Sequence, residues 1–170
     1  MKKSLVAICL MWLAWAVCPG GVLGAGASMT LDQLKNTTYL VDGDKIKLKN
    51  GTYQAGTIAE ANYLLVKFET AALGDLNNDG KNDAAVIYFY NGGGSGCFVI
   101  LAAMLNQDGN PVQVASEELG DRVEVKSIAI RGGKIILTML VHGPKDGMAK
   151  PTVRQTRTYR LAGNKLVQTR

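Results

Sequence analysis

Residues 84–90 and 97–105 are two unbroken apolar runs, and only the hexapeptide Asn91-Gly92-Gly93-Gly94-Ser95-Gly96 separates them. Runs of this length, rich in β-branched and aromatic residues and bounded by glycine, read as buried strands rather than helices. They are predicted to be the two central strands of an antiparallel sheet. The Gly-rich connection is read as a flexible hairpin loop. A phosphate-cradling loop needs a Gly-Lys-Ser/Thr continuation into a helix, and here a strand begins at Cys97. Cys97 itself is read as a small buried apolar residue in preference to a nucleophile.

The rest of the chain supplies short strands around this pair. Thr30-Leu31-Asp32-Gln33 has the form of a capping box, which predicts one short helix over residues 30–36. Residues 38–41 switch to strand formers, and Lys45-Ile46-Lys47-Leu48-Lys49 alternates with period two before the hairpin signal Asn50-Gly51. The three lysines read as a solvated strand face that also guards a sheet edge, with a phosphate or membrane patch as the alternative. Strands are predicted over residues 63–68, 111–115, 123–130, 135–141, 152–161 and 165–168. Turns are predicted at residues 107–110, 119–121, 131–134 and 162–164, and a loop at 142–147. The fold class is mainly β with a minor α part: an antiparallel sheet, sandwich or barrel-like meander with one short N-terminal helix.

Between residues 63–68 and the first central strand lies Asp75-Leu76-Asn77-Asn78-Asp79-Gly80-Lys81-Asn82-Asp83. Hard divalent cations take oxygen ligands, and side-chain oxygens at loop positions one, three, five and nine with a carbonyl at seven can wrap one ion. The candidate ligands for Ca2+ are therefore Asp75, Asn77, Asp79, the Lys81 carbonyl and Asp83, with Gly80 allowing the sharp turn. An EF-hand is excluded, because its twelfth position is a bidentate Glu and here it is Val86. Asx residues and glycine also build ordinary tight turns, so a solvated hairpin turn is the alternative. Three carboxylates opposed by Lys81 alone favour a cation.

The run from Leu73 to Val86 resembles the calcium loop of FG-GAP and VCBS repeats, the repeats of integrin-type propellers, at all four side-chain positions. The resemblance implies a metal role for Asp75, Asn77, Asp79 and Asp83. The chain holds one copy, so no propeller is implied. The sequence also resembles a family of small exported bacterial proteins built around this core. The shared pieces include residues 93–96, 119–123, His142-Gly143-Pro144 and Arg157-Thr158-Tyr159. Relatives carry adjacent cysteines before the proline of the last long loop, where this chain has Ala149-Lys150-Pro151, so no redox role carries over. That resemblance implies an exported β domain and no reaction.

Residues 1–27 read as an export signal: Lys2-Lys3, an apolar run from Leu5 to Val17 too short for a comfortable span, and a small-x-small site at Ala25-Gly26-Ala27. Cleavage after Ala27 leaves a single domain over residues 28–170, periplasmic or secreted, with no transmembrane helix. Lipid anchoring through Cys18 is the less favoured alternative, because Val17 and Trp15 are poor neighbours for lipoprotein processing. Cleavage also removes Cys9 and Cys18, leaving Cys97 alone, so stability rests on the core and not on an internal disulfide. Of the 19 basic residues two leave with the leader, and 17 against 14 acids is a net charge of +3, no argument for nucleic acid.

Two further features enter as alternatives. A hydrolase of the cell envelope would use the same ion, or Glu117, Glu118, Asp121 and His142 gathered by folding. Residues 143–170 carry seven basic residues and the single acid Asp146, and Arg154 and Arg160 are predicted to share a strand face that Arg157 does not. That face suits an anionic surface or cell-envelope component, or is simply a solvated face. The first expectation is an exported, non-enzymatic binding or structural module with one structural calcium loop.

Overall fold

The computed structural model describes residues 28–148 and 150–169. The leader, its cleavage point and Cys18 lie outside the described residues. One short helix, α1 (Leu31–Lys35), precedes eleven strands: β1 (Thr38–Val41), β2 (Asp44–Lys47), β3 (Thr52–Ala55), β4 (Leu64–Gly74), β5 (Asp83–Asn91), β6 (Phe98–Gln107), β7 (Asn110–Asp121), β8 (Glu124–Arg131), β9 (Lys134–Val141), β10 (Val153–Ala162) and β11 (Lys165–Thr169). No described helix is long and apolar enough to cross a membrane.

The strands form three antiparallel sheets: the β1-β2 hairpin, a five-stranded sheet in the order β3-β4-β5-β6-β7, and a four-stranded sheet in the order β11-β10-β9-β8. The fold is thus mainly β and sandwich-like, not a closed barrel. Strand alternation explains why the two central runs carry no polar residue. Ala85, Ile87, Val99, Leu101 and Ala103 face the four-stranded sheet and join Ile135, Leu137, Met139 and Tyr159 in one core. Ala84, Val86, Tyr88, Ile100, Ala102 and Met104 face the other way and are covered by Leu34, Tyr39, Val41, Ile46 and Leu48. The N-terminal helix and hairpin are therefore a third layer that roofs the second face of the five-stranded sheet.

The capping box forms as predicted, with Gln33 N–H donating to Thr30 Oγ1 at 3.2 Å and Thr30 N–H to Gln33 Oε1 at 2.8 Å. The Asn50-Gly51 turn also forms, with φ of 51° and 81°. Its flanks share one bridge, Lys49 to Thr52, after which β3 leaves for the five-stranded sheet. The N-terminal hairpin instead turns at Asp42-Gly43, which carries the same Asp-Gly signal. Residues 119–121, predicted as a turn, are the end of β7. Leu119 is an extra residue between the pairs Val99–Gly120 and Ile100–Glu118, and Gly120 takes φ 130°, so the glycine marks a bulge and not a chain reversal.

In the core between the two large sheets, the hydroxyl of Tyr159, which is 1 % exposed, has no hydrogen-bond partner among the described residues. A buried hydroxyl without a bond costs about 1–3 kcal/mol. Tyr159→Phe should therefore raise stability by about 1 kcal/mol in urea unfolding. A loss of stability would mean the hydroxyl is satisfied by a buried water.

Candidate metal centre

The 75–83 loop joins β4 to β5 at one end of the sandwich, and it is organised around the Asp75 carboxylate. Oδ1 accepts the N–H groups of Asn77 at 3.2 Å and Asn78 at 2.6 Å, and Oδ2 accepts that of Gly80 at 2.9 Å. Asn78 and Gly80 reach these positions with φ of 62° and 80°. Asn77 and Asp79 close the circle. Asp79 N–H donates to Asn77 Oδ1 at 3.1 Å, and Asn77 Nδ2 donates to Asp79 Oδ2 at 3.1 Å. The Lys81 N–H donates to Asp79 Oδ1 at 2.8 Å, which, with the Asn77 amide, holds the Asp79 carboxyl below the usual carboxylate range. Three of the candidate ligands, Asp75, Asn77 and Asp79, thus lie together on the exposed loop.

Asp83 occupies a different environment. It is 0 % exposed, and its oxygens accept the Leu76 N–H and the Asn106 N–H, each at 2.9 Å. The first bond ties the loop's start to its end, and the second pins it to β6. None of the ion pairs among the described residues reaches Asp83. Burial of a carboxylate without a cationic side chain is costly, and two amide dipoles offset only part of that cost. Lys81, the only base in the loop, turns outward to Asp108 at 3.2 Å, and among the described residues its carbonyl accepts no backbone hydrogen bond outside the strands.

The donor chemistry, three carboxylates with one amide and one free carbonyl, suits a hard cation. Among the described residues, no three His, Cys, Asp or Glu side chains stand gathered at metal-ligand spacing, and the Asp83 oxygens are engaged by the Leu76 and Asn106 amides. Each side-chain oxygen of Asp75, Asn77, Asp79 and Asp83 accepts one or two N–H groups, and most keep a lone pair that a cation can share. The fit is therefore one of ligand type and order, carried by Asp75, Asn77 and Asp79 above a buried Asp83.

The residues of the hydrolase alternative are not brought to this loop. The β8–β9 turn lies against Asn78, and β9 runs from that turn to His142, about 25 Å away by strand rise. Asp121 and His142 border one cavity at that far end, while Glu117 and Glu118 are exposed on β7. On β10, Arg154 and Arg160 are exposed on one face and Arg157 is half-buried on the other, as the alternation predicts. Cys97 is half-buried, and burial, with Asp121 nearby, pushes its thiol up, which disfavours a reactive thiolate.

Sequence reasoning did not single out Asn106 and Asp108, the residues against which the loop is braced. Asn106 is buried, and its Oδ1 accepts the Gly109 N–H at 2.7 Å, which shapes the β6–β7 turn. The Asn106-x-Asp108-Gly109 spacing is an Asx-turn signal, but nothing local ties it to a loop 23 residues earlier. Comparison of the chain with models of protein families, with curated proteins and with solved structures finds no match.

Proposed function

We propose that the protein is an exported, non-enzymatic binding or structural module in which Asp75, Asn77, Asp79, the Lys81 carbonyl and Asp83 hold a structural Ca2+. The observation that carries this reading is the buried Asp83 carboxylate, which has two amides and, among the described residues, no ion pair. A bound calcium supplies the missing positive charge at the junction of loop, β5 and β6. The chain's own residues do the rest. Asp75 sets the curvature of the loop, Asn77 and Asp79 fix each other's side chains, and Gly80 turns the backbone. A structural role follows from the surroundings, because the ligands come from one tight loop and the only histidine is at the opposite end of the sandwich. Outside the cytoplasm a site with Kd of about 10⁻⁴ M is still useful.

Thermal unfolding with calcium and with chelator tests the proposal. Calcium at a hundred times Kd should stabilise the protein by about 2.7 kcal/mol, and Asp79→Ala should abolish the difference while leaving the chelated protein folded. Identical unfolding in millimolar calcium and in chelator reduces the loop to a turn.

A further inference from the structure

Three loops meet at the end of the sandwich away from the 75–83 loop: residues 92–97, residues 122–123, and residues 142–148 with 150–152. Arg122 ties them together. Its N–H donates to the Cys97 carbonyl at 2.7 Å, and its guanidinium donates to the Ser95 carbonyl, to the Met148 carbonyl at 3.1 Å and to Asp121 Oδ2 at 2.9 Å. The other Asp121 oxygen accepts the Cys97 N–H at 2.7 Å. Asp146 knots the last loop in the same way. It accepts the Gly143 N–H at 2.9 Å and both the N–H and the hydroxyl of Thr152 at 2.8 Å, contacts that keep its carboxyl below the usual range. Both carboxylates are thus committed to holding the loops.

Beside this frame lies a cavity of about 450 Å³. Leu119, Val123 and Val141 give it apolar walls, and Gln155, Arg157 and His142 border it. Nε and Nη2 of Arg157 both donate to Gln155 Oε1, at 3.2 and 3.0 Å, and among the described residues the guanidinium has no carboxylate within ion-pair distance. Arg157 Nη1, the Gln155 amide N–H groups and the His142 ring make no hydrogen bond to any described residue. The cavity therefore combines unspent donors and a guanidinium without an ion-pair partner among the described residues with apolar walls. Its one lining acid, Asp121, has each oxygen already holding a donor, and Asp146, which lies near His142, is bonded to Gly143 and Thr152. Pockets of this size, apolar with a few convergent polar groups, are the form that small-ligand sites take. A guanidinium bonded only to a neutral amide oxygen gains on exchanging it for a carboxylate or phosphate, which binds it in charge-assisted, bidentate fashion.

We propose that this cavity binds a small organic anion, a carboxylate or phosphate borne on a short apolar body, with Arg157 as its counter-ion and Gln155 and His142 as further donors. The proposal deepens the binding half of the reading above and rests on it, but not on the calcium loop. The test is a titration of the isotope-labelled protein, followed by amide and side-chain NMR shifts at constant ionic strength, with calcium and with chelator. The probes are benzoate, butyrate, phenyl phosphate and inorganic phosphate, with benzylamine as the cationic control. Benzoate or phenyl phosphate should give saturable shifts at Gln155, Arg157 and His142, and the preference between the two identifies the anionic group. Arg157→Gln should weaken that binding by about tenfold or more, and Arg160→Gln, which removes the same charge from the exposed face, by less than about twofold. No saturation by any anion below about 20 mM, equal losses in the two variants, or equal binding of benzylamine would each overturn the proposal. Saturation that persists in chelator separates this site from the calcium loop, whose failure would appear only in the calcium-dependent unfolding.

Discussion

Asp83→Ala should destabilise the protein by about 4 kcal/mol in chelator, before any calcium is added, because two buried amides lose their acceptor at about 1–3 kcal/mol each. Those amides are Leu76 N–H and Asn106 N–H, on residues 3 % and 5 % exposed, where no solvent replaces the lost oxygen. Asp83→Asn keeps one acceptor oxygen and turns an NH2 group toward the other amide, so about half of the loss is expected. In calcium the gap to the parent should widen by the whole binding contribution. Asp79→Ala should show the complementary pattern, with a small effect in chelator and loss of the calcium-dependent part. Urea unfolding of the parent and the three variants in both conditions separates the roles. A Asp83→Ala cost below about 0.5 kcal/mol in chelator would show that the amides find other acceptors, and the loop's anchoring role would be lost with it.

How much of this was legible in the sequence depends on whether the signal was local. The runs over 84–90 and 97–105 announced central strands, and period-two alternation already implied that Ile46 and Leu48 turn inward while Lys45, Lys47 and Lys49 stay out. Strand ends were less visible. Residues 63–68 continue as β4 to Gly74, because the ladder resumes after a bulge between Phe68 and Thr70 that an Ala-rich, charged stretch does not advertise. Asp42-Gly43 was a readable hairpin signal, overshadowed by the Asn-Gly that follows it. The loop over 75–83 was legible because Asx and glycine spacing encodes its curvature directly. The division of labour within it was not, since Asp83 acts on Asn106 from 23 residues away. The cavity beside Arg157 joins residues from β7, β9 and β10, and no local pattern foretells such an assembly.

Raising the pH should unfold the protein through its N-terminal layer, by way of Tyr39 and Tyr88. Both side chains are at most 1 % exposed, their rings lie 5.1 Å apart, and their hydroxyls donate to the carbonyls of Leu34 at 2.8 Å and Leu40 at 2.9 Å. Burial pushes both phenols well above their ordinary range, Tyr39 further through Tyr88, and Tyr88 in spite of an opposing contribution from Gln113. The folded state thus keeps two protons that the unfolded chain gives up near pH 10. Stability contributed by a raised pKa is fully present below the unfolded value and is lost as pH climbs toward the folded one. Each phenol should contribute a slope of about −1.4 kcal/mol per pH unit above pH 10, so together about 5 kcal/mol is lost by pH 12. That is comparable with the whole stability of a marginal domain. Tyr39→Phe and Tyr88→Phe should each halve the slope while costing about 1 kcal/mol at pH 8, because each removes one hydrogen bond from a buried hydroxyl to a carbonyl. Urea unfolding across pH 8 to 11.5 measures both quantities. A flat profile would mean that the phenolates form without disturbing the roof, and that α1 and the β1-β2 hairpin lift from the five-stranded sheet more readily than their burial suggests.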